Sequence, residues 1–124
     1  MPQDDLISRY IACYNNNDIE GMVDCVTEDV VFENISNTGQ SMRLEGKDAM
    51  REVARLSGNA FSYRRQKVAL MVLGEDRAAA EIEFEGKTAV DLPNGTPAGE
   101  TVRIRGASFF EFRGEKLSRI ADYS

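Results

Sequence analysis

Arg105-Gly-Ala-Ser-Phe-Phe-Glu-Phe-Arg-Gly-Glu-Lys-Leu-Ser-Arg-Ile-Ala-Asp-Tyr123 reads as two antiparallel strands joined by a tight turn at Arg113-Gly114-Glu115. If the last strand alternates, Ser118, Ile120 and Asp122 share one face, and Leu117, Arg119, Ala121 and Tyr123 share the other. Asp122 then faces inward. A carboxyl group on an apolar strand face is costly to bury unless it is paired or used. The chain has no histidine, so Asp122 is the leading candidate for proton chemistry. Two readings stand side by side: an acid or base with a raised pKa, or a carboxylate paired with Arg119 or Arg103 or left exposed near the chain end.

Upstream of this hairpin, Tyr63–Leu73 and Arg77–Asp91 read as two more long strands, separated by Gly74-Glu-Asp. Pro93-Asn-Gly95 leads to the strand Thr101–Phe112, which is followed by Lys116–Tyr123. Gly86 and Gly106 inside strands predict bulges or bends. The first half has helical periodicity. Asp4 or Asp5 caps a first helix, with Leu6, Ile7, Tyr10, Ile11, Cys13 and Tyr14 on one face. Asn15-Asn-Asn17 breaks it. Asp18 caps a short second helix with Ile19, Met22, Val23 and Val26 inward. Val30–Ile35 is a β-branched strand, Ser36–Glu45 a polar loop, and Gly46 opens a third helix with Ala49, Met50, Val53 and Leu56 on one side. A long bent sheet of this kind curls into a half-open cone that helices close.

A chain of 124 residues supports one domain, spanning residues 1–124, with one core. The formal charge of −6, from 21 acidic and 15 basic residues, argues against nucleic acid as a partner. Arg43, Lys47, Arg51 and Arg55 recur among acids and read as a solvated face. No apolar run reaches the length of a membrane span. Cys13 and Cys25 have no metal-ligand spacing, and the acidic start Met-Pro-Gln-Asp-Asp does not read as a signal peptide. A cytoplasmic protein with two reduced, buried thiols is expected. With no histidine and no clustered carboxylates, no metal is expected.

Other polar residues fall on the inward faces. Tyr10 and Tyr14 lie one helical turn apart; Tyr10 is assigned to a pocket and Tyr14 to the core. Asn34, in phase with Phe32 and Val30, can hold a water or a ligand oxygen, or simply stabilise a strand end. Ser108, in phase with Val102, Ile104 and Phe110, can bond a ligand or make room as a small residue. Glu81, Glu83 and Glu85 alternate with Ile82 and Phe84, and can pair with Arg103 and Arg105 on the next strand. The apolar lining is Phe32, Met50, Val53, Phe61, Leu70, Val72, Phe84, Ile104, Phe110 and Ile120. A mainly apolar pocket with few polar groups suits a small hydrophobic ligand.

The order of elements resembles the NTF2-like superfamily. The segments Arg9–Gly21, Glu28–Asn34 and Leu44–Ala49, with the C-terminal hairpin, are similar to SnoaL-like and ketosteroid-isomerase-like small proteins. The resemblance implies an α+β, cystatin-like cone, with three N-terminal helices packed on a strongly curved, mostly antiparallel sheet. Such a fold hosts isomerases, hydrolases, cyclases and binding proteins. In ketosteroid isomerases, a helix tyrosine and a protonated acid bind the enolate oxygen while an aspartate after the first strand moves the proton. Those positions fall on Tyr10, near Ser108, and on Asn34, which is not a base at neutral pH. In limonene-epoxide-hydrolase-like proteins, an aspartate before a tyrosine on the last strand activates a water that an asparagine helps hold. Asp122 and Asn34 match these two, whereas Phe32 stands where a water-holding tyrosine is expected. A further arginine and aspartate of those proteins have no clear counterpart here; Glu83, Glu85 and Lys87 lie nearby. SnoaL-type cyclases resemble the chain in using a late-strand aspartate, again Asp122.

The resemblance therefore implies a cofactor-independent acid–base enzyme, an isomerase, cyclase or epoxide-hydrolase-like protein, acting on a small hydrophobic oxygen-bearing molecule. Asp122, Tyr10 and Asn34 would be catalytic, and Ser108 would assist. The alternative is a non-catalytic binding or assembly module of the same fold. A homodimer through the outer sheet face, near Phe109 and Tyr123, is also implied.

Overall fold

The structure, a computed structural model, describes residues 2–124. Its elements are α1 (Pro2–Asn15), α2 (Ile19–Asp24), β1 (Val26–Ile35), β2 (Met42–Glu45), α3 (Lys47–Asn59), β3 (Phe61–Leu73), β4 (Arg77–Thr88), β5 (Thr101–Arg113) and β6 (Lys116–Tyr123). The strands form one six-stranded sheet in the order β2-β1-β6-β5-β4-β3. Every neighbouring pair is antiparallel except β1 with β6. The last strand thus sits in the centre, hydrogen-bonded to β1 on one side and β5 on the other. A side chain on β6 is therefore flanked by two strands.

The helices cover one face of this curved sheet. Ile7, Tyr10 and Ile11 of α1, Met22 of α2, and Met50 and Ala54 of α3 pack against Val30, Ala78, Ala80, Ile82, Phe110, Leu117 and Ile120. Asp18 caps α2 as its sequence predicts, accepting from the Gly21 amide at 3.0 Å. Asn15, read only as a helix breaker, also fastens α1 to the edge strand. Its amide group donates to the Gln66 carbonyl at 3.0 Å and accepts from the Gln66 N–H at 2.7 Å. These bonds replace the ladder partner that β3 lacks at that position.

Several sequence expectations need correction. Two helices precede the first strand, and the third follows the β1–β2 hairpin, so the three are not all N-terminal to the sheet. Asp4 and Asp5 lie inside the first turn of α1 rather than capping it, where their charges still complement the helix dipole. The loop assigned to residues 36–45 contains strand β2, and β1 begins at Val26 rather than Val30. The early part of β1 is irregular: the register against β6 shifts between Val26 and Val31, leaving Glu28 and Asp29 exposed. Such irregularity hides the strand from a period-two reading.

The last strand also departs from simple alternation. Register between β5 and β6 shifts at Glu111/Phe112, so Leu117 enters the core together with Ile120. The Ser118 hydroxyl instead donates to the Glu111 carbonyl. Gly86 and Gly106 are not bulges, because the β4–β5 register runs unbroken through both. They mark close approaches. A Cβ on Gly106 would lie 2.4 Å from the Tyr123 carbonyl oxygen, and one on Gly86 would meet the Phe61 and Phe84 rings. Leu70 and Val72, expected in the lining, are exposed at 55% and 61%. They fall in register rows with Tyr123 and Phe109, on the side away from the helices. Cys25 is buried and Cys13 half-buried; both are free thiols. Among the described residues, no helix is long and apolar enough to cross a membrane.

Candidate active site in the cone

Strand register builds the site. Met42, Asn34, Asp122, Ser108, Ala80 and Met71 stand side by side in one row across all six strands. Asn34 and Ser108 thus flank Asp122, residues far apart in sequence held on one face by neighbouring ladders. The adjacent inward row, Leu44, Phe32, Ile120, Phe110 and Ala78, forms much of the packed floor.

Two adjoining chambers of ≈ 220 and ≈ 270 Å³ open between this face and the helices. Both are lined by Tyr14, Phe32, Asn34, Ser57, Gln66 and Asp122. The first also touches Tyr10, Met50 and Arg64, the second Phe61, Phe84, Ile104 and Ser108. Together they fall within the size range of small-molecule pockets, about 300 Å³ and upward. Met42 and Ile104 are partly exposed and mark the two rims. Phe110 and Ile120, expected as lining, line neither chamber; at 2% and 1% exposure they are core.

Asp122 is half-buried at the junction. Burial disfavours its charged form and pushes its pKa up to about 6, from an ordinary 3.8. The Ser108 hydroxyl donates to Oδ1 at 2.6 Å, which favours the carboxylate and partly opposes the shift. The other carboxylate oxygen makes no hydrogen bond to a described residue. Pairing of Asp122 with Arg119 or Arg103 is excluded. Arg119 bonds Glu33 and Glu111, both at 3.1 Å, and Arg103 bonds Glu85 at 2.9 Å. Glu83 lies opposite Arg105 and Glu85 opposite Arg103, as the charge alternation predicts.

Tyr10 is buried on α1 and lines the first chamber. Its hydroxyl makes no hydrogen bond to another described residue. Burial, then the charge of Asp122, raises its pKa well above the ordinary value, so it stays a proton donor at neutral pH. Asn34 is exposed to the chambers, and its amide has no bond to a described residue. Tyr14, assigned to the core, packs against it and also borders both chambers.

Sequence reasoning missed Arg64. It lines the first chamber at 6% exposure, with its guanidinium 3.9 Å from the centroid of the Tyr14 ring. The available signal was its phase: Arg64 and Gln66 alternate with Tyr63, Arg65 and Lys67, and share a face with Val68. Among the described residues, no group of three His, Cys, Asp or Glu side chains converges as a metal site would require.

Solved structures share this architecture. A provisionally named polyketide cyclase of Xanthomonas campestris pv. campestris is 21% identical, with a TM-score of 0.80 over 99% of this chain and 90% of the other. One from Pseudomonas putida KT2440 is 25% identical, with a TM-score of 0.79 over 96% and 88%. An epoxide hydrolase of M. tuberculosis resembling limonene-epoxide hydrolase is 15% identical, with a TM-score of 0.74 over 95% and 78%. No curated protein matches the sequence. Residues 7–120 match the SnoaL-like domain, and the chain belongs to that family, within the NTF2-like superfamily.

Proposed function

We propose that the cone is a cofactor-independent acid–base site for a small hydrophobic molecule bearing an oxygen. The observation that carries this reading is the row Asn34–Asp122–Ser108 at the junction of two largely apolar chambers. Ser108 fixes one oxygen of the Asp122 carboxylate and leaves the other for the substrate. Asp122 takes a proton from a carbon beside a carbonyl, or from a water, and can return it to a second position. The Tyr10 hydroxyl and the Asn34 amide donate to the oxygen on which negative charge develops. A carboxyl group with a pKa of about 6 is suited to this role, because both protonation states are populated near neutrality. That solved neighbours of the same fold are named as polyketide cyclases and an epoxide hydrolase favours an enzyme over a binding module.

The test uses an enolisable bicyclic ketone, 1-tetralone, in deuterated buffer. Proton NMR follows exchange at the carbon beside the carbonyl. Catalysed exchange is expected, and Asp122→Asn should lower it by about 10²–10⁴-fold. Exchange at the buffer rate, with the ketone shown to bind, moves the protein to the alternative of a non-catalytic binding module.

The outer sheet face suits a second copy of this chain. Leu70, Val72, Phe109 and Tyr123 are exposed there, with Phe109 and Tyr123 in edge-to-face contact at 5.5 Å. Beside them a column of acids, Glu83 and Glu85, lies between Arg65 and Lys67 on one strand and Arg103 and Arg105 on the other. Such a pattern is complementary to itself on rotation. Light scattering at micromolar concentration should give the mass of a homodimer; a monomer counts against this assembly.

A further inference from the structure

Arg64 is a buried cation with no anionic partner among the described residues. Its Nη1 donates to the Ser57 hydroxyl at 3.0 Å, and its Nη2 makes a long bond of 3.4 Å to the Asn17 side-chain oxygen. Its Nε is buried and reaches no acceptor among the described residues. No carboxylate oxygen of a described residue lies within ion-pair distance. The guanidinium stacks on the Tyr14 ring, and the Tyr14 hydroxyl, a neutral group, is a further hydrogen-bonding neighbour. The C-terminal turns of α1 and α3, near Asn17 and Ser57, contribute only partial negative charge.

A guanidinium offers five N–H donors in a planar fork that matches a carboxylate. Burying one without an anion is costly, and the protein partners here, Ser57, Asn17 and Tyr14, are all neutral. The chemistry that completes this site is therefore an anion, and Arg64 lines the same chamber as Tyr10, Asn34 and Asp122. We propose that Arg64 receives the carboxylate of the substrate, so that the ligand class is a small molecule with an apolar body and a carboxylate at one end. This rests on the cone being the ligand site, and adds to it an anion-recognising wall opposite no other cation. In that chamber Phe32, Met50 and Val53 take the apolar body.

The probes are 2-naphthoate and its neutral methyl ester, which share one apolar body and differ in charge. Binding of each is measured at pH 7.5 by titration, with the Arg64 Nε–H resonance followed by NMR. The acid is expected to bind at least tenfold tighter than the ester and to move that resonance downfield. Arg64→Met, shown folded by circular dichroism, should erase the preference, and Arg64→Lys should retain part of it. If Arg64→Met does not fold, the wild-type resonance and the acid-to-ester ratio decide. Equal binding of acid and ester, an unmoved Arg64 resonance, or no binding of either probe at millimolar concentration overturns the proposal. Failure of the acid–base reading looks different: turnover would survive Asp122→Asn while the acid preference and its dependence on Arg64 persist.

Discussion

Replacing Asp122 with asparagine should stabilise the protein, and by an amount that depends on pH. The carboxyl has a pKa of about 6 in the folded chain against 3.8 when exposed. Between these values the unfolded chain releases its proton first, so unfolded molecules bind fewer protons and stability falls as pH rises. The full penalty is a little over two pKa steps, or about 3 kcal/mol, reached above pH 7 and absent below pH 3. At pH 4 about 0.5 kcal/mol of it has developed. Asparagine has nearly the same shape, carries no charge, and keeps an oxygen for the Ser108 hydroxyl. The variant should therefore exceed the wild type by only about 0.5 kcal/mol at pH 4 and by about 2–3 kcal/mol at pH 8. The assay is urea unfolding followed by circular dichroism on both proteins at each pH. With a urea slope of about 2 kcal/mol/M, the midpoints should separate by about 1 M at pH 8. Other carboxylates titrate in both proteins and cancel in the difference. A gap that does not change with pH, or wild type more stable at pH 8, would refute a carboxyl penalised by burial.

Ser108→Ala removes the donor that holds the Asp122 carboxylate down, so its pKa should rise above the wild-type value. Carbon-13 NMR titration of labelled aspartate reads this, and an unchanged midpoint would show that the bond does not form. Tyr10→Phe should leave the unfolding free energy within about 0.5 kcal/mol, because the hydroxyl bonds no described residue. The same substitution should slow ketone exchange by about 10²-fold. A large stability loss with exchange intact would make Tyr10 a core residue instead.

Some of this was legible in the chain. The helical spacing of Ile7, Tyr10, Ile11 and Tyr14 and the long β-rich second half determine the elements, because periodicity reports which face of a segment is buried. The inward direction of Asp122 was also readable, from its phase with Ile120. The short strand β2 was not, since Met42–Glu45 is largely exposed and offers no alternation. Nor was the entry of Leu117 into the core, because one bulge shifts the phase of everything before it.

The candidate site divides in the same way. Sequence alone determined that an aspartate on an apolar strand, with no histidine anywhere, is the group to consider for proton chemistry. Only the tertiary structure decided what stands beside it. Parallel pairing of β6 with β1 brings Asn34 next to Asp122, and antiparallel pairing with β5 brings Ser108 to 2.6 Å. The sheet and helix packing separated Phe110 and Ile120, which fill the core, from Phe32 and Phe84, which border space. It also placed Arg64 in that space, where a local reading sees one more cation on a basic strand. The physical reason is common to these cases. Burial phase is a local property of the chain, whereas register, cavity shape and the absence of a counter-charge depend on segments that meet only on folding.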